Sequence, residues 1–134
     1  VTLAEEHLHD HFPGFPVMPR TLMIEGMAQT AGVMAGFIDD FSKNIILAKI
    51  QKATFFKLVH PGDHIVYDAK LTETRPEGHR VGVRATVDET MVAEAEMMFV
   101  NYRDPTASED RQENFVFDGN FAQLLRTKSG GKDV

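Results

Sequence analysis

The 134 residues amount to one domain, and a domain of that length buries about two thirds of its unfolded surface. Hydrophobic residues make up 43% and charged residues 25%, the balance of a globular protein, while a net charge of −6 argues against a nucleic-acid binder. Zero cysteines exclude disulfides and thiolate chemistry, and no run of about 18 apolar residues is present to span a membrane.

The first nineteen residues read as a loop. Pro13, Gly14, Pro16 and Pro19 forbid a continuing helix or a central strand and make the segment stiff enough to hold a side chain in place. Glu5, Glu6 and three histidines stand where a signal peptide would carry a basic stub and an apolar stretch, so the expected compartment is the cytoplasm and no membrane partner is expected. The chain opens on Val1, and an upstream piece is expected to be missing.

From Arg20 to about Ile38, apolar residues recur at steps of three and four: Leu22, Ile24, Met27, Ala31, Met34, Ala35 and Ile38. Only Glu25, Gln29 and Thr30 are polar between Leu22 and Ile38, so the spacing predicts a helix buried on nearly all sides. Gly26, Gly32 and Gly36 each cost about 1 kcal/mol relative to alanine, which implies close approach of another backbone. The period then switches to two. Strands are expected near 45–58, 64–74, 79–88 and 91–102, separated by the turn signals HPGD, PEGH and DET and forming an antiparallel meander. One long helix followed by an antiparallel sheet is an α+β layout. Residues 104–114 are polar and read as a linker. Beyond them Phe115, Phe117, Phe121, Leu124 and Leu125 mark a short docking element. The domain is therefore expected over 1–103, with shortened or missing N-terminal elements, and an extension over 104–134.

His7, His9 and His11 alternate in HLHDH, which is one residue short of the HxHxDH metal motif. His60, His64 and His79 stand in turn-like contexts and add no second cluster, so no metal site is expected. The pair His11 and Glu25 is the better candidate, one on a stiff loop and one inside an apolar helix. A carboxyl group in apolar surroundings resists ionisation, and histidine titrates near neutrality, so together they supply a general acid and a general base. Each also has an ordinary reading: Glu25 as an ion-pair partner, His11 as a surface residue.

The string HFPGFPVMPRTLMIEGMAQTAG (11–32) resembles the signature of the FabZ-type 3-hydroxyacyl-(acyl-carrier-protein) dehydratases, roughly HFPGxPVMPGVLxxEAMAQxAG. VHPGDHIVYDAKL (59–71) and ATVDETMVAEAEMMFV (85–100) extend the likeness over about residues 1–103. The resemblance implies a hot-dog fold, with a central helix wrapped by an antiparallel sheet. It also implies a homodimer with shared active sites, in which His11 of one subunit faces Glu25 of the other, and assembly into a trimer of dimers. His11 would remove the C2 proton and Glu25 would protonate the departing C3 hydroxyl, with no cofactor.

The family's glycine at the helix start, whose N–H stabilises the thioester oxygen, is Arg20 here. If that position needs a positive φ, arginine strains it by about 1–2 kcal/mol. Gln29 is expected to hydrogen-bond within the site, and Gly14 to let the loop turn beside His11. Phe15, Val17, Met18, Leu22 and Met23 are candidates for an acyl tunnel, or equally for ordinary core. The expected partners are the acyl thioester and its acidic carrier protein, docking on Arg20 and on Lys43, Lys49, Lys52 and Lys57, a stretch with no acidic residue. A hot-dog thioesterase, or a non-catalytic relative that binds acyl groups or carrier protein, is the alternative.

Overall fold

The computed structural model describes residues 1, 2, 5, 8 and 12–102. His7, His9 and His11, and the extension over 104–134, lie outside the described residues.

Helix α1 (Arg20–Ile38) begins directly after Pro19, whose φ of −59° suits a helix entry and whose carbonyl accepts from both Leu22 and Met23 N–H at 3.1 and 3.2 Å. It ends where Asp40 and Phe41 take φ of 55° and 56°, a reversal made without glycine and closed by Phe41 N–H on the Gly36 carbonyl at 2.8 Å. No helix among the described residues is long and apolar enough to cross a membrane.

Four strands follow: β1 (Asn44–Phe55), β2 (Ile65–Arg75), β3 (Gly78–Val87) and β4 (Thr90–Tyr102). Each lies within three residues of its sequence-based position, and all pairings are antiparallel. Asp88 and Glu89, both at positive φ, make the two-residue turn between β3 and β4, matching the right-handed twist of the strands. The sheet order is β1-β4-β3-β2, which corrects one expectation. Only β2, β3 and β4 form a meander; β1 pairs with β4. The stretch between β1 and β2 is too long for a hairpin. Phe56 N–H stays on the Val92 carbonyl at 2.8 Å, and the chain then crosses beneath the start of α1, where Met18 N–H donates to the Val59 carbonyl at 2.8 Å.

Strand alternation sets the core. Val81, Val83 and Ala85 of β3 and Ala93, Ala95, Met97 and Phe99 of β4 point toward α1 and meet Met23, Met27, Ala31 and Ala35. These α1 positions recur every four residues and make one stripe. The helix is thus buried on one face, not on nearly all sides: Leu22, Glu25, Gln29 and Phe37 are exposed. A single sheet layer covers only one side of a helix. The uncovered residues continue onto edge strand β1, where Ile46, Leu47 and Ile50 are 48%, 40% and 36% exposed.

His79, expected in a turn, is the second residue of β3 and is buried. Its Nε2 pairs with the Asp39 carboxylate at 2.7 Å, and its Nδ1 pairs with the Thr74 hydroxyl at 2.5 Å. A carboxylate only accepts, so Nε2 carries the proton. The ring thereby ties the end of α1 to the β2–β3 hairpin.

Candidate active site

The N-terminal half of α1 is flanked by two turns. Phe12 and Phe15 exchange backbone hydrogen bonds at 3.1 and 2.9 Å around Pro13 and Gly14. Gly14 has φ of +75°, a conformation that L-residues avoid and that turns of this kind require at their third position. The expected turning role of Gly14 has this physical basis, while His11, the residue immediately before Phe12, is outside the described set. The second turn, 60–63, is closed by Asp63: its carboxylate accepts from His60 N–H at 2.8 Å, and its own N–H donates back to the His60 carbonyl at 3.1 Å. The rings of Phe15 and His60 meet edge to face at 5.8 Å, so the two turns pack against each other.

Glu25 sits on the open face of α1, one turn before Gln29, whose Nε2 donates to Glu25 Oε1 at 2.8 Å. That bond holds one carboxylate oxygen of an exposed side chain. The apolar burial expected around Glu25 is not provided by the described residues, none of whose strands lies over this side of α1. Next along the helix, Gly26 lies against the ring of Tyr67 on β2. Desolvation by burial pushes the Tyr67 hydroxyl above its ordinary value of 10.0, so the group is a neutral phenol.

Arg20 is the first residue of α1 and is not among the positive-φ positions, so the strain considered for it does not arise. Its guanidinium lies 5.3 Å from the centroid of the Phe55 ring. Pro19 caps the helix with no side-chain hydrogen bond, and neither Arg20 nor Thr21 N–H has a partner among the described residues. Two donors therefore stand free at the positive end of the helix, the arrangement that stabilises an oxyanion.

The tunnel candidates separate. Val17 and Met23 are buried in the core, and Met18 packs on its margin. Phe15 at 57% exposure and Leu22 at 37% face outward. Of the lysines, Lys43 pairs with Asp39 at 3.5 Å, and Lys49 and Lys52 stand on β1, where Lys52 is opposite Glu96. Among the described residues no cluster of His, Asp and Glu has metal-binding geometry. Tyr67 and the role of His79 were missed from the sequence. Tyr67 was readable only as one aromatic in an alternating strand, and its pairing with Gly26 needed the third dimension.

A family model described as the FabA-like domain matches residues 1–96. Similar proteins include the 3-hydroxyacyl-(acyl-carrier-protein) dehydratase FabZ of Petrotoga mobilis, 39% identical over 100 residues, covering 73% of this chain and 70% of that protein. The protein of the same name from Fusobacterium nucleatum is 41% identical over 101 residues, covering 75% and 70%. Among solved structures, a hexameric thioesterase from Yersinia pestis superposes with a TM-score of 0.61 at 18% identity, over 66% of this chain and 74% of that one. A hexameric hotdog fold thioesterase of Campylobacter jejuni gives 0.57 at 15% identity, over 90% of each chain. At such identities these structures speak to the fold, and the fold is the hot dog. With the helix, the sheet and the motif of 11–32 in one chain, the protein belongs to the FabA-like family.

Proposed function

We propose that this chain is a 3-hydroxyacyl-(acyl-carrier-protein) dehydratase of fatty-acid biosynthesis acting in the cytoplasm, with residues 1–103 as its catalytic domain. The observation that carries the reading is the FabZ kinship over about three quarters of the chain, taken with Glu25 on an open helix face next to two free N–H donors. In this mechanism His11 removes the C2 proton, which the thioester carbonyl acidifies. The electron pair of that C–H bond forms the C2–C3 double bond as the C3–O bond breaks. Glu25 gives its proton to the leaving hydroxyl, and water departs. The N–H groups of Arg20 and Thr21 receive the negative charge that builds on the thioester oxygen. Afterwards His11 holds the abstracted proton and Glu25 is the anion, and a proton passing from one to the other through solvent restores both.

A second copy of the chain completes the site in this reading. Leu22 on α1 and Ile46, Leu47 and Ile50 on β1 are exposed apolar side chains, and burial against another protomer is the cover proposed for them and for Glu25. His11 then comes from the partner subunit. Arg20 and Lys57, both exposed near Phe55, are the contacts proposed for an acidic carrier protein.

The test is hydration of a short trans-2-enoyl thioester, followed by loss of its ultraviolet absorbance with free thiol measured in parallel. Wild type is expected to hydrate without releasing thiol, and His11→Ala and Glu25→Gln are each expected to lose about 10²-fold or more in kcat. Thiol release in place of hydration would make the protein a thioesterase. Full activity in Glu25→Gln would remove the acid role.

A further inference from the structure

Glycine in the middle of a helix costs about 1 kcal/mol relative to alanine. The motif that this segment resembles carries alanine at the position of Gly26, so the glycine needs a local cause. The cause is Tyr67. A Cβ built on Gly26 would stand 2.6 Å from Tyr67 Cζ and 2.7 Å from its Cε2 and hydroxyl oxygen. Gly32 is a control within the same helix: its Cβ would meet Phe99 at 3.5 Å, an ordinary contact. Beside the ring in the sheet stands Ala85, its cross-strand partner on β3, a fully buried residue that adds little bulk under the helix. The flat Tyr67 ring is thus what meets the bare helix backbone at the residue next to Glu25.

We propose that Tyr67 and Gly26 are a positioning pair: the Tyr67 ring sets the height of α1 over the sheet, and the bare backbone at Gly26 lets the helix settle there with Glu25 in reach of its substrate. The inference rests on the dehydratase reading for its link to catalysis. Restoring an ordinary carbon–carbon separation of about 3.5–4.0 Å from 2.6 Å moves the helix or the ring by about 1 Å. Misplacing a catalytic group by that amount costs about 10²-fold in rate. The ring does this work through its shape. The hydroxyl has no hydrogen-bond partner among the described residues, and desolvation keeps it a neutral phenol.

The experiment compares Gly26→Ala, Tyr67→Leu, the double variant and Tyr67→Phe, using enoyl hydration kinetics and thermal unfolding of each full chain. Gly26→Ala is expected to lower kcat by about 10- to 100-fold with KM changed less than about threefold. In the Tyr67→Leu background the same substitution is expected to change kcat by less than about threefold, because the flexible side chain yields to the new methyl group. Tyr67→Phe is expected to stay within about threefold of wild type. Equal losses from Gly26→Ala in both backgrounds overturn the pair, as does failure of the double variant to fold. A loss in Tyr67→Phe as large as that in Tyr67→Leu overturns it too, by giving the hydroxyl a direct role. If wild type hydrates nothing, the dehydratase reading fails. The packing half is then judged by melting temperature alone: coupling between the two sites upholds it, and additivity overturns it.

Discussion

Tyr67 also carries a consequence for stability. Burial raises its folded-state value above the ordinary 10.0, whereas in the unfolded chain the phenol titrates near 10. Below pH 10 both states hold the proton, and the contribution to stability is fully present. As pH rises past 10 the unfolded state loses its proton first, so the contribution falls away through the folded-state value. Melting temperatures between pH 8 and pH 11 are expected to fall more steeply for wild type than for Tyr67→Phe. Parallel curves would show that the ring is no more desolvated than in the unfolded chain. The same residue explains the limit of reading by periodicity, since alternation in HIVYDAKL puts Tyr67 on the helix side of β2 but does not name the helix residue above it.

At the scale of the element, α1 is anchored at its two ends by different means. Its start is uncapped and leaves donors free, which suits a site. Its end is tied down by Asp39, which accepts from His79 at 2.7 Å and pairs with Lys43 at 3.5 Å. His79→Ala leaves that carboxylate with the exposed lysine alone and deprives the Thr74 hydroxyl of its acceptor. The expected loss is about 1–3 kcal/mol, read as a lower denaturant midpoint. Asp39 is 14 residues after Glu25, about 21 Å along a helix axis, so kcat at saturating substrate is expected to stay within about twofold of wild type. A large fall in kcat without a fall in stability would mean that the clasp reaches the site.

For the whole molecule, the exposed apolar residues of β1 and the open face of α1 are a liability in a lone protomer. Covering them with a second copy shields a sheet edge that no strand among the described residues pairs, and completes the proposed site in one event. Wild type is expected to sediment as a dimer or a larger assembly. Leu47→Asp, a charge placed on a residue 40% exposed at that edge, is expected to move the protein toward monomer and to remove hydration activity in step. A variant that stays assembled and active would locate the interface elsewhere on the surface.

The local elements were legible in the chain alone, because periods of 3.6 and 2 report directly which side chains must leave water. Arg20–Ile38 and the four strands follow from that rule, and the motif of 11–32 carried the family. The ladder order was not legible: β1 crosses to β4 because of long-range backbone pairing and a docked connection, neither of which leaves a local pattern. The one-sided burial of α1 escaped for a related reason, since apolar residues look the same whether their cover comes from the same chain or from another. Only the tertiary structure decided that Gly26 faces the Tyr67 ring, that Arg20 sits unstrained at the helix start, and that His79 is a buried clasp. Each of these depends on atoms distant in sequence meeting within a few ångströms, whereas composition and spacing carry only neighbours along the chain.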